Sequence, residues 1–155
     1  MAKKVQLKSF KVAGISVRTT NQDRQSSTDL MNLWNRFYSE NISSKIPGKV
    51  NNNIYAVYTN YDSDYTSAYT TILGHSVASI DNLPRGLVGH EIGAASYIAF
   101  EVKGEMPAAI VDTWKEIWNR DKELNRQYST DFEVYQEKTE EEPNGSATVY
   151  VGVKE

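Results

Sequence analysis

Apolar and polar positions alternate along residues 5–18 with the two-residue period of a half-buried strand, and Gly14 is placed for a bulge or a close approach of two backbones. The period then lengthens. In SSTDLMNLWNRFYSENI, Leu30, Leu33, Trp34, Phe37 and Tyr38 fall on one helical face behind Ser27 or Thr28 as an N-cap. GKVNNN ends that helix, and NIYAVYTNY and SAYTTILGHSVAS are β-rich runs separated by DSD, so the first half reads βαββ. After the polar connector DNLPRGLVGHE the order restarts. AASYIAFEVKG predicts a strand, and MPAAIVDTWKEIWNRD predicts a helix with Pro107 in its first turn and Ile110, Trp114, Ile117 and Trp118 on one face. DFEVYQEK and ATVYVGVK then form a hairpin around the turn signal PNG, which completes a second βαββ unit.

The halves echo each other in residues as well as in order. Leu30, Trp34, Phe37 and Tyr38 lie 80 positions before Ile110, Trp114, Ile117 and Trp118, and AVY at 56–58 corresponds to EVY at 133–135. The predicted fold class is therefore α+β, with duplicated βαββ units forming one curved, mainly antiparallel sheet, two main helices and a central cleft. The whole chain, 1–155, is expected to be one domain, with repeats at about 4–79 and 93–154 joined by a connector at 80–92. A cleft between repeats is a usual place for a ligand. In this correspondence Glu133 replaces Ala56: one half has a charge where the other has a methyl group.

Composition narrows the function. The 17 basic and 20 acidic residues give a net charge of -3, no electrostatic footprint for nucleic acid or an anionic membrane. The absence of cysteine excludes disulfides, thiolate nucleophiles and Cys-ligated zinc, and fits a cytoplasmic setting. The opening MAKKVQLKSFKV alternates where a signal peptide would run apolar, and no stretch reaches the roughly 18 apolar residues of a membrane span. Ten tyrosines and three tryptophans against four phenylalanines favour rings that carry a polar handle. His75 and His90 have no carboxylate at ligand spacing and read as surface or loop residues, so no metal or other cofactor is expected. GHEIG at 89–93 lacks the second histidine of a metalloprotease helix, PRGLVG lacks the lysine of a phosphate loop, and KTEEEPNG reads as a solvated hairpin loop.

The two βαββ units resemble the GyrI-like family through VYTNY leading by an acidic loop to YTTILG, YIAFEVKG, the helix with Trp114 and Trp118, and DFEVY. That family comprises effector-binding domains of AraC-type and multidrug-responsive bacterial regulators, and the resemblance covers residues 4–154. It implies a module for small organic molecules, frequently lipophilic cations, in an aromatic cleft with an acid at its base. The family's acid falls on Glu133. Regulators of this class carry a helix-turn-helix domain on the same chain, for which 155 residues leave no room, so a stand-alone member is expected.

Alternation places Glu133 and Tyr135 on one face of their strand and Phe132 and Val134 on the other, the second suiting a helix-covered core. An acid walled by rings suits a cationic guest, because an unpaired buried carboxylate is costly and a cation restores its partner. The expected ligand residues are Glu133, Trp114, Trp118, Tyr58, Tyr97 and Tyr135, with Trp34 and Tyr38 left to the core. Two alternatives stand beside binding. Glu133 would activate water if the protein hydrolysed strained electrophiles, and an exposed surface would act if it were a gyrase-inhibitor-like interaction protein.

Overall fold

The computed structural model describes residues 2–63, 66–102, 108–136 and 146–154. Its strands are β1 (Ala2–Leu7), β2 (Phe10–Thr20), β3 (Ile54–Thr59), β4 (Ala68–Val77), β5 (Val88–Ile92), β6 (Ala95–Val102), β7 (Arg126–Gln136) and β8 (Ser146–Val153). They form one open, curved, antiparallel sheet in the order β1-β6-β8-β7-β3-β4-β2-β5. Two long helices, α1 (Gln25–Ser39) and α3 (Ala108–Asn119), lie on it, each followed by a short helical turn, α2 (Ile42–Lys45) and α4 (Asp121–Leu124). Helix α1 begins ahead of the expected Ser27 or Thr28 cap. Pro107 and the whole of KTEEEPNG, with its PNG turn signal, fall outside the described residues.

The expected strand at 5–18 is two strands, and the expected connector at 80–92 contains a third, β5. The reason is an exchange of edges. Strand β1 precedes β2 in the chain but pairs with β6, while β5 precedes β6 but pairs with β2. Each half of the sheet is thus completed by the strand that leads into the other half, which ties the halves together through main-chain hydrogen bonds as well as through packing. Short segments such as VGHEI carry little periodicity of their own, so the sheet edge that receives them decides their conformation.

At the middle of the sheet, β3 and β7 pair with Ala56 directly opposite Glu133, Tyr58 opposite Asp131 and Ile54 opposite Tyr135. A twofold axis through the Ala56–Glu133 pair exchanges Tyr58 with Tyr135, which is the correspondence of AVY with EVY in the sequence. On the axis, two long acids would face each other as like charges. Alanine on one side leaves the space to a single carboxylate.

The faces of the sheet are used differently from the sequence expectation. Helix α1 packs Leu33 and Phe37 on Ala13, Ile15, Ala56 and Leu73, while α3 packs Ile110 and Ile117 against Phe100, Val149 and Val151. These strand residues lie on the face of Glu133 and Tyr135. The helices therefore cover the acid's face, and Phe132 and Val134 point to the opposite one. That face forms its own core with Val12, Val57, Ile72, Ile92 and Tyr97, closed in part by Phe10, Tyr55 and Tyr150. Curvature makes this possible: Phe132 stacks on Tyr150 at 4.7 Å and meets Phe10 at 5.2 Å without any helix above them.

Gly14 and Gly74 are paired across β2 and β4 without a register shift, so the close approach expected at Gly14 is present and a bulge is not. A Cβ on Gly74 would lie 1.9 Å from the Ala13 carbonyl oxygen, and one on Gly14 would lie 2.0 Å from that of Leu73. Backbone atoms cannot step aside as a side chain would. Gly74→Ala is expected to lower stability by about 2 kcal/mol or more, read as a reduced midpoint in urea unfolding. An unchanged midpoint would show that the two strands separate locally at little cost.

Candidate functional site

Between the two long helices and the centre of the sheet lies a cavity of about 310 Å³. Trp34 from α1 and Ile110, Trp114 and Trp118 from α3 form its upper walls, and Tyr58, Tyr69 and Tyr135 rise from the strands. The rings hold one another at right angles: Tyr58 meets Trp114 at 5.6 Å and Trp34 meets Tyr135 at 5.2 Å. Edge-to-face contacts of this kind add about 0.5–1.5 kcal/mol each beyond the area they bury, so the walls are shaped before a guest arrives.

Glu133 lies at the base, 3% exposed. It has partners on both oxygens. Trp114 Nε1–H donates to Oε2 at 2.6 Å, Tyr58 donates to the same oxygen at 2.9 Å, and Tyr135 donates to Oε1 at 2.5 Å. The expectation of an unpaired acid is thereby corrected. These donors favour the charged form, yet burial outweighs them and raises the Glu133 pKa above its ordinary value. The phenols of Tyr58 and Tyr135 are themselves pushed up, first by burial and then by the nearby carboxylate, and so remain protonated donors. The result is an acid held in place by neutral donors with no cationic side chain bonded to it among the described residues.

A second buried charge sits on the same cavity. Arg126, at the start of β7, pairs with fully buried Asp131 at 2.7 Å, and Asp131 also accepts from the Gly152 N–H at 2.8 Å and from Tyr61 at 2.5 Å. The guanidinium lies 5.9 Å from the Trp114 ring and 4.3 Å from the ring of Tyr128, which has the uncommon positive φ of 58° within the irregular stretch of β7. Trp114 thus stands between the two charges, its N–H on Glu133 and its face toward Arg126.

Of the residues expected from the sequence, Glu133, Trp114, Trp118, Tyr58 and Tyr135 line the cavity together. Tyr97 does not. Its strand partner is Gly152, on the face opposite Ile98 and Val151, and its buried ring packs on Phe132 at 5.3 Å in the other core. Trp34 lines the cavity where a core position was expected, and Tyr38 is 64% exposed, stacked along Trp34. His75 is also corrected from a surface position: buried, it contacts the Asn53 carbonyl oxygen through Nδ1 and Ser43 Oγ through Nε2. Burial keeps it below its ordinary pKa, so the ring is neutral near pH 7, and a neutral ring with Nδ1 donating to the carbonyl accepts from Ser43. Sequence reasoning missed Tyr61, Tyr69, Ser26 and Arg126. Only Tyr61 and Tyr69 carried a signal, through the family resemblance of VYTNY and YTTILG. Among the described residues, no group of three or more His, Cys, Asp or Glu is placed to hold a metal, and no helix is long and apolar enough to cross a membrane.

A family model described as Cass2, integron-associated effector binding protein, matches residues 5–153. The chain is 28% identical over 145 residues to the candidate transcriptional regulator YobU of Bacillus subtilis (strain 168), covering 92% of this chain and 91% of that one. It is similar to the integron cassette protein VCH_CASS2 of Vibrio cholerae, with 29% identity, a TM-score of 0.75, and 99% and 95% of the two chains covered. SAV2435, in a structure bound to tetraphenylphosphonium, shares the fold at 18% identity and a TM-score of 0.77 over 99% and 94% of the chains.

Because the folded chain holds the Glu133 proton to higher pH than the unfolded chain, the acid's contribution to stability is greatest below its ordinary value of 4.5 and declines as pH rises through the raised value. Glu133→Gln preserves the bonding pattern, with its oxygen accepting from Trp114 and Tyr58 and its amide donating to the Tyr135 oxygen. Thermal melts from pH 4 to 7 should therefore show the wild type losing stability relative to Glu133→Gln as pH rises. A constant difference across that range would mean that the acid titrates as though solvated.

Proposed function

Since the chain belongs to the Cass2 family of integron-associated effector-binding proteins, we propose that its cavity binds lipophilic organic cations and that Glu133 is the counter-charge. The observation that carries this reading is a buried carboxylate, oriented by three neutral donors, at the base of an aromatic cavity. In the empty site burial raises the pKa of this acid above its ordinary value. A cation entering above it restores the charged form and releases whatever proton the acid holds.

Selectivity then follows from desolvation. A strongly hydrated small cation gains too little from rings and one carboxylate to leave water, whereas a cation whose charge is spread under apolar groups has little hydration to lose. Each ring presented to the cation adds about 0.5–2 kcal/mol. Planar walls from Trp34, Trp114 and Trp118 impose few directional bonds, so guests of different outline are accepted. The tetraphenylphosphonium bound to SAV2435, which shares this fold, is a guest of that chemical type.

Titration of the protein with tetraphenylphosphonium should change tryptophan fluorescence saturably, with a Kd in the micromolar range, roughly -8 kcal/mol. A neutral compound of similar size should bind more weakly. Glu133→Gln should reduce cation affinity by about 2 kcal/mol or more, roughly 30-fold, while changing neutral binding little. Affinity in the wild type should rise with pH through the raised Glu133 range and stay flat in the variant. Equal cation affinity in the two proteins would remove Glu133 from the site.

A further inference from the structure

The proposed cation site accounts for part of the cavity. The lining also includes Arg126, Tyr61, Tyr69 and Ser26, and Arg126 brings a guanidinium that Asp131 and Asp121 balance. Arg126 has a side-chain exposure of 1%, and its two terminal nitrogens are engaged by Asp131 at 2.7 Å and Asp121 at 3.4 Å. Its Nε–H has no hydrogen-bond partner and is shut off from water. An enclosed donor left without an acceptor is a standing cost that an acceptor would remove. In the same lining, Ser26 and Ser27 bring the first turn of the 15-residue helix α1 to the cavity, and that turn contains no acidic residue. The positive end of the helix dipole is therefore not offset by a side chain of its own first turn.

We propose that the cavity recognises bipolar guests, in which a lipophilic cationic centre meets Glu133 while a hydrogen-bond acceptor such as a carbonyl or ester oxygen is received at Arg126. The inference rests on the cation reading and adds a second requirement to it. Trp114 sets the spacing, because its indole N–H is on Glu133 and its ring lies 5.9 Å from the guanidinium. The Arg126 Nε–H is enclosed, so an acceptor reaches it only if the guest displaces a neighbouring ring such as that of Trp114. Arg126 also orients the guest. Asp131 and Asp121 balance the guanidinium, so the pose is set by pairing the cation with Glu133, which has no cationic side chain bonded to it among the described residues, and the acceptor with the open Nε–H. In this role Arg126 is a specificity-determining residue, and Asp131 holds it in position.

The test uses two quaternary ammonium ions of matched length, benzoylcholine and phenylbutyl-trimethylammonium, which differ in the presence of an ester. Wild-type protein should bind benzoylcholine about 10-fold more tightly, the worth of a hydrogen bond to a charged donor. Equal affinities overturn the proposal without any variant. Arg126→Lys keeps a cation for Asp131 and deletes the Nε–H, so the ratio of the two affinities should fall toward one. A ratio that survives Arg126→Lys in a variant with native circular dichroism also overturns it. Failure of the cation reading is seen separately, as unchanged affinity of both ions for Glu133→Gln.

Discussion

The structure depends on keeping one carboxylate inside. Glu133 sits at the centre of an eight-stranded sheet, opposite Ala56, and water does not reach it appreciably. Removing such a group from water costs several kcal/mol, and hydrogen bonds recover only part of that. Three neutral donors are what the chain supplies, from α3, β3 and β7. They fix where the acid points, and no cationic side chain among the described residues is bonded to it. Had a lysine or arginine stood beside it, the carboxylate would have its counter-charge within the protein.

The approximate twofold of the fold explains why the site can be this asymmetric. Equivalent strands and helices surround the axis, with Trp34 and Trp114 entering from related positions on α1 and α3. At the axis itself, however, equivalence would put two identical side chains in one small space. The sheet resolves the crowding by giving the space to Glu133 and a methyl group to the other strand. Away from the axis the halves diverge further: one carries the buried Arg126–Asp131 pair, the other the His75–Ser43 contact. The scaffold repeats while the polar chemistry does not.

The edge exchange of β1 and β5 bears on the same cavity. Both strands attach to the outer ends of the sheet and help to enclose the face opposite the helices, where Phe132 and Tyr97 pack. A filled second core beneath the sheet resists flattening of its curve, and the curve sets how far apart α1 and α3 stand. Ring packing on one face thereby holds open the space on the other.

The sequence by itself determined the α+β class, the order of the main elements, the correspondence of the halves and the cluster of Glu133, Trp114, Trp118, Tyr58 and Tyr135. These follow from local periodicity or from motifs, which do not require knowledge of neighbours. Tertiary structure decided the rest. It decided which strand each edge receives, because VGHEI and the N-terminal run acquire their conformation from a partner far away in the chain. It decided which face the helices cover, because local alternation favours the apolar face of Phe132 and Val134 whereas the curved sheet closes a core of its own over that face, and so it sent Tyr97 to one core and Trp34 to the cavity. Finally it decided that the acid is hydrogen-bonded and that Arg126 shares its cavity, since donors 19 and 75 residues from Glu133 converge only when the sheet has closed.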